Sequence, residues 1–297
     1  MSQYLVTING ETWFKEEVTE EIGHALRVDK VLYEGEVDHQ HLIVFENAVF
    51  GRLFALNGFI QVSTQDEFIY HEMVTHVPIF AHGAAKRVLV IGGGDGGAIR
   101  EIFRHKTVEH VTMVEIEASV VDFSKEWFPE ISDGAFSDPR LDLVIADGAK
   151  YVAETDARFD VIIVDSTDPV GPGKVLFTKE FYRDCRKCLT DEGIMITQCG
   201  LPFLQPEELK AAYDNQRAIF DDPQFYAIAV PAYSGGIMTL GFARAGGDHP
   251  DLAQLKVRMD AAGLSYRYYT AEGHLAAFAV PVYVDHILQT GTFTGQV

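Results

Sequence analysis

Apolar and polar positions alternate in short bursts through the first part of the chain and then settle into a longer rhythm. HALRVDKVL, HLIVFEN, GRLFALN and FIQVST read as strands, and Asn57-Gly58 between the last two is a tight-turn signal that predicts a hairpin. The pattern changes near residue 65. Thr64 and Glu67 have capping-box spacing for a helix starting near Asp66, which carries Tyr70, Val74 and Val77 on one face until Pro78 interrupts it. Beyond it, the runs KRVLVI, VTMVE, LDLVIAD, FDVIIVD and GIMITQ alternate with helical stretches, as in a doubly wound parallel sheet. The expected architecture is α/β: a small antiparallel β domain over residues 1–65, then a doubly wound domain over 66–297.

Each of those five runs leads into a polar residue: Asp95 beyond the first, then Glu115, Asp147, Asp165 and Gln198. Ligands of open α/β sheets bind outside the carboxyl ends of the strands, so these side chains should converge on one crevice. Four of the five are acids, which implies a cationic ligand.

Composition supports this picture. The 297 residues are 47% hydrophobic and 11% aromatic, enough for a large core. Against 44 Asp and Glu stand 24 Lys and Arg, a net charge of −20, and no basic run follows a phosphate backbone. Nucleic acid and anionic membranes are excluded as partners, whereas a small cation gains from the field. No apolar stretch reaches spanning length and MSQYLVTINGETWFKEEV has no signal-peptide pattern, so a cytoplasmic protein is expected. Three cysteines, with Cys185 and Cys188 on one helix face, make neither a disulfide framework nor a zinc site; reduced thiols and no metal are expected.

Gly92, Gly94 and Gly97 give a GxGxxG spacing between a strand and a helix, and Glu115 ends the next strand where an acid can accept from ribose hydroxyls. The spacing fits NAD enzymes and adenosylmethionine-dependent transferases alike. Asp95, inside the loop, would repel a pyrophosphate, which disfavours a dinucleotide. Asp147-Gly148 suits an acceptor for the exocyclic amine of adenine, although DG is also a common turn. In DSTDPVGPGK, Asp165 and Asp168 flank a Ser-Thr pair, and prolines and glycines follow in a loop over 167–175 that can act as a lid. Two acids at this spacing should raise each other's pKa, which suits a base, and together hold a dication.

GGGDGG after KRVLVI, VEIE, DG, DSTDPVGP, LNGFIQVSTQDEFIYHEM and PAYSGGIMTLGF occur in the order of the polyamine aminopropyltransferases, and the chain resembles the bacterial spermidine synthases over almost its whole length. Glu117 departs from the family's usual Asp. The resemblance implies a Rossmann-like domain of the adenosylmethionine-dependent methyltransferase kind. It also implies transfer of the aminopropyl group of decarboxylated adenosylmethionine, a co-substrate, to putrescine, with no cofactor. Spermidine and methylthioadenosine are the products. It makes Asp165 the base, aided by Tyr70. Asp95, His71 and Asp168 would line the amine site, with Tyr233 and Trp13 packing on the methylene chain. Gln40, Gln61, Gly92, Gly94, Glu115, Asp147, Gly148 and Pro172 would contact the nucleoside, with Gln198 nearby. A homodimer or homotetramer is implied. The resemblance also gives Asp95 a purpose, since it attracts the ammonium of the decarboxylated donor and repels the carboxylate of ordinary adenosylmethionine. An ordinary methyltransferase would leave the loop acid unexplained, and a polyamine-binding protein would leave the nucleoside set unexplained.

Overall fold

The computed structural model describes residues 3–37, 40–166 and 171–293. The N-terminal part forms two antiparallel sheets, each paired in sequence order. β1 (Leu5–Ile8), β2 (Glu11–Glu17) and β3 (Gly23–Arg27) make the first; β4 (Lys30–Val37), β5 (Gln40–Asn47), β6 (Gly51–Leu56) and β7 (Phe59–Ser63) make the second. Asn57 and Gly58 turn between β6 and β7 with φ of 50° and 86°, the positive values that a two-residue hairpin needs. Asn9 and Gly10 do the same between β1 and β2. Those first two strands escape the alternation pattern because an inward position on β2 is held by Glu16, a buried carboxylate that accepts the Ile60 N–H at 2.8 Å. One face of the second sheet, with Ile43, Phe45 and Leu53, packs on Phe14 and Leu26 of the first. Its other face, with Leu42, Val44 and Phe54, packs on Phe123, Phe128 and Ile131 of the following domain.

α1 (Glu67–His82) starts where the sequence indicates but is capped differently. The Ser63 hydroxyl donates to Asp66 at 2.6 Å, Thr64 Oγ1 instead accepts from the Arg52 N–H, and the Glu67 carboxylate is turned into the interior. Nor does Pro78 end the helix, which runs on to His82 and stops at Gly83 with φ 81°. Proline forfeits one backbone hydrogen bond, but Val74, Val77 and Ile79 are buried around it, and this packing outweighs the loss.

Then follow β8 (Arg87–Gly92), α2 (Gly97–Phe103), β9 (His110–Glu115), α3 (Ala118–Trp127), α4 (Pro129–Ser132), β10 (Leu141–Ile145), α5 (Gly148–Glu154) and β11 (Phe159–Asp165). The chain continues through α6 (Lys179–Cys188), β12 (Leu189–Gln198), α7 (Pro206–Arg217), β13 (Gln224–Ile228), β14 (Met238–Arg244), α8 (Leu252–Ala262), α9 (Ala271–Ala277) and α10 (Val282–Thr290). The strand order is β10-β9-β8-β11-β12-β14-β13, with β8 to β12 parallel and β14 and β13 added antiparallel at one edge. Both faces are covered. Val88, Val90, Val161 and Ile163 face the layer of α1, while Leu89, Ile91, Ile162 and Val164 face Phe181 and Tyr182 of α6. The winding reverses between β8 and β11, and there Asp165 pairs in register with Gly92. Cys185, Cys188 and Cys199 are buried free thiols. Among the described residues no helix is long and apolar enough to cross a membrane.

Candidate active site

The crevice opens at that reversal, the position where a doubly wound sheet leaves room for a ligand. The loop from β8 to α2 turns tightly: Gly92 has φ 83°, and any Cβ there would collide with the Asp165 carbonyl. Gly93 N–H donates to that same carbonyl at 2.8 Å, which fastens the loop to the end of β11. Asp165 is thereby held beside the glycine loop.

Tyr70 reaches up from α1 and donates its hydroxyl to Asp165 Oδ1 at 2.6 Å. Burial, and then the nearby charge on Asp95, push the Asp165 carboxyl up to about 6, against the opposing influence of His71 and the Tyr70 hydrogen bond. Asp95 is not an isolated charge. Its Oδ1 accepts from Gly97 N–H at 2.8 Å, and its Oδ2 lies 3.3 Å from His71 Nε2. Burial opposes its ionisation, but His71 and the Gly97 N–H bring it below the usual carboxylate range. His71 has its other nitrogen 2.6 Å from Glu67, which in turn takes two hydrogen bonds from Arg100. Glu67 and Arg100 were not among the expected site residues, since a separation of 33 residues hides their pairing. The i,i+4 spacing of Glu67 and His71 is a sequence signal for Glu67 alone, and none marks Arg100.

On the far side of the crevice, Tyr233 donates to the Gln61 carbonyl at 2.7 Å, and its phenol is held well above its usual range by burial and then by Asp95 and Asp165. The Gln61 amide donates to the Phe59 carbonyl at 3.1 Å. Trp13 stands on β2 opposite Arg27, with its indole N–H buried and without an acceptor among the described residues. Gln40 opens β5, half-buried.

Glu115 ends β9 almost fully buried, accepting from the Glu117 N–H at 3.1 Å. Burial pushes it up to about 7. Gly94 leaves room beside it, because a Cβ there would sit 3.1 Å from Glu115 Oε2 and closer still to Val120. Asp147 is exposed and caps α5, with Oδ1 accepting from Ala149 and Lys150 N–H. Gly148 is required by Ile91, which a Cβ would strike. Ile116 and Ile145 stand 52% and 48% exposed beside these two acids, an apolar surface that the acid-centred reading overlooked. Gln198 ends β12, buried. Pro172 lies in a short 3₁₀ helix, Gly171–Phe177, and Asp168 lies outside the described residues. A cavity of about 760 Å³ lies behind the crevice, lined by Phe68, Arg100, Arg104, Arg140 and Tyr266, and it meets the site at Glu67.

The spermine/spermidine synthase domain matches residues 67–249, and the spermidine synthase tetramerisation domain matches residues 12–64. The chain belongs to the spermine/spermidine synthase family. Within it, polyamine aminopropyltransferase 1 of Pseudomonas aeruginosa is 53% identical over 273 residues, 91% of this chain and 96% of its own length. The polyamine aminopropyltransferase of Ruegeria sp. is 53% identical over 283 residues, 93% and 98% of the two chains. A crystal structure of spermidine synthase in complex with the transition state analogue AdoDATO matches with a TM-score of 0.88 at 36% identity, covering 97% of this chain and 98% of that one. Spermidine synthase from Thermotoga maritima gives 0.85 at 34% identity, with the same coverage. This family member is an aminopropyltransferase of polyamine biosynthesis with a Rossmann-like fold.

Proposed function

We propose that this aminopropyltransferase is a spermidine synthase, moving the aminopropyl group of decarboxylated adenosylmethionine to putrescine and releasing methylthioadenosine. The observation that carries the reading is the Tyr70–Asp165 pair at the strand-order reversal, next to an ionised loop acid. In this reading Glu115 accepts from the ribose hydroxyls, Asp147 and Gly148 meet the adenine edge, and Ile116 and Ile145 cover the flat faces of the base. Gly94, Gln40, Gln61 and Pro172 complete the nucleoside side. Tyr233 and Trp13 line the methylene chain of the amine, and Asp168 is assigned to the same amine site by the family resemblance. The similar spermidine synthase that binds the transition state analogue AdoDATO supports the same reaction.

An acceptor amine arrives as an ammonium and must lose a proton before it can attack. Asp165, oriented by Tyr70, takes that proton; the nitrogen lone pair then forms a bond to the methylene carbon attached to the sulfonium as the carbon–sulfur bond breaks and its electrons return to sulfur. The sulfonium becomes a neutral thioether. Because Asp165 must be ionised to act, turnover is expected to fall as pH drops through about 6. We also infer a homodimer or homotetramer, supported by the match of residues 12–64 and by sheet edges that gain from pairing.

The deciding assay supplies decarboxylated adenosylmethionine and putrescine and looks for methylthioadenosine and spermidine. Asp165→Asn keeps the shape and removes the charge, so turnover should drop by roughly 10² or more while methylthioadenosine still binds. Near-normal turnover in that variant removes Asp165 from the role of base.

A further inference from the structure

Both ring nitrogens of the buried His71 face carboxylates, and neither acid stands alone. Nδ1 lies 2.6 Å from Glu67 Oε2, and Nε2 lies 3.3 Å from Asp95 Oδ2. A neutral imidazole has one N–H, so one contact would set a lone pair against a carboxylate oxygen; the imidazolium satisfies both. Behind Glu67, Arg100 grips the carboxylate through Nη1 and Nη2 at 3.1 and 2.9 Å. Arg100 is fixed in turn by Glu101 at 3.0 Å and the Ile131 carbonyl at 2.7 Å. From Arg100 inward the charges therefore alternate until they end at Asp95. Gly97 makes this possible, since a Cβ there would collide with the imidazole.

Charged and titratable groups face His71 from every element around it. Glu67 and Tyr70 come from α1, Asp95 from the β8–α2 loop, Arg100 from α2 behind Glu67, and Asp165 from the end of β11. Burial on its own would discharge the ring, but Asp95 and then Glu67 push it up to about 10. The effect reaches the base. Asp165 is raised by burial and by Asp95 and lowered by His71, so the imidazolium offsets the repulsion between the two aspartates. Two neighbouring carboxylates without such a cation tend to share one proton.

We propose that Glu67, clamped by Arg100, is a positioning residue of aminopropyl transfer: it holds His71 as a fixed cation against Asp95, so that Asp165 meets the acceptor amine ionised and ready to take its proton. The idea rests on Asp165 being that proton acceptor. His71 keeps both of its own protons throughout; the proton that moves goes from the acceptor ammonium to Asp165.

Nitrogen NMR of the His71 ring in the full-length enzyme tests the clamp without turnover. In the wild type the ring should stay doubly protonated from pH 6 to 9. Glu67→Gln still accepts a hydrogen bond from Nδ1 but lacks the charge, so its ring should titrate inside that window, and Glu67→Asp should restore the protonated ring. As the proton of His71 passes to Asp165 in Glu67→Gln, the acid limb of its kcat/KM profile should move up by about one pH unit or more, so that the loss relative to wild type is severalfold near pH 6.5 to 7 and shrinks toward pH 9. A purely structural defect would lower kcat/KM by a constant factor. A neutral ring in the wild type at pH 8, a ring that stays charged in Glu67→Gln, or a pH-independent loss overturns the proposal. Full turnover in Asp165→Asn would instead sink the assignment of the base, and because the ring is read from its nuclei the two failures are told apart.

Discussion

At the scale of single residues, the acids of this site differ in how they are held, and their behaviour with pH should differ accordingly. Glu115 is buried and pushed up to about 7 from an ordinary 4.5. A carboxyl raised in the folded state contributes stability that is present below about 4.5 and lost as pH rises through about 7. Glu115→Gln should therefore stabilise the unliganded protein at pH 8 by up to about 3 kcal/mol relative to its effect at pH 4.5, read as a pH-dependent difference in melting temperature. With ribose hydroxyls donating to the carboxylate, methylthioadenosine affinity should climb with pH and level off above about 7, releasing a proton on binding. In Glu115→Gln that dependence should vanish and affinity drop by about 1 to 3 kcal/mol; calorimetry at several pH values decides it, and an unchanged slope would mean the side chain turns elsewhere. Asp95 calls for a different test. Asp95→Asn removes the carboxylate that faces the donor tail beside His71, and the affinity ratio should move at least about tenfold toward ordinary adenosylmethionine. Equal losses for both nucleosides in competition binding would show that Asp95 only shapes the loop.

At the scale of elements, α1 organises the molecule. Its outer end carries Glu67, Tyr70 and His71 to the crevice, and one turn on, Glu72 accepts three successive backbone N–H groups, from Arg267, Tyr268 and Tyr269, at 2.7 to 2.9 Å. Glu72 is 1% exposed. In Glu72→Gln an amide NH₂ meets one of those donors, so stability should fall by about 2 kcal/mol or more in denaturant titration, while the folded fraction keeps its nucleoside affinity. A loss below about 0.5 kcal/mol would mean that the 267–269 segment is held by other contacts. Elements also mark where the sequence was legible. The parallel strands could be read because each is an apolar run with a polar residue at its end, and Asn57-Gly58 because a hairpin needs that chemistry. β2 could not, since Glu16 occupies a core position, and neither could the continuation of α1 through Pro78, which only tertiary packing permits. The antiparallel addition of β14 and β13 has no local signature at all. Within the site, Asp165, Tyr70, Asp95 and Glu115 stand in recognisable motifs, whereas the Glu67–Arg100 contact joins distant positions and becomes visible only in three dimensions.

At the scale of the whole molecule, a net charge of −20 surrounds a crevice that already holds several acids. Such a field draws in a diamine and fades with ionic strength, because the Debye length shrinks to a few ångströms in concentrated salt. The KM for putrescine should therefore rise severalfold from low to half-molar salt, while the affinity for uncharged methylthioadenosine barely moves. Parallel salt dependence of the two would place the effect in the protein's conformation rather than in its field.

One consequence of the glycine loop concerns what the enzyme refuses. In many nucleotide-binding sheets the first turn of this helix is left vacant for phosphate. Here the vacancy is filled from within: Asp95 occupies the Gly97 N–H, and the imidazole of His71 takes the space that the glycine leaves. The protein carries its own anion where others borrow one. Adenosine compounds bearing 5′-phosphates share the base and the sugar with the proposed donor, yet they would bring a second negative group to a seat already taken. Abundant nucleotides such as ATP should thus be poor inhibitors, and the loop works less as a receptor for adenosine in general than as a filter on what hangs from its 5′ carbon.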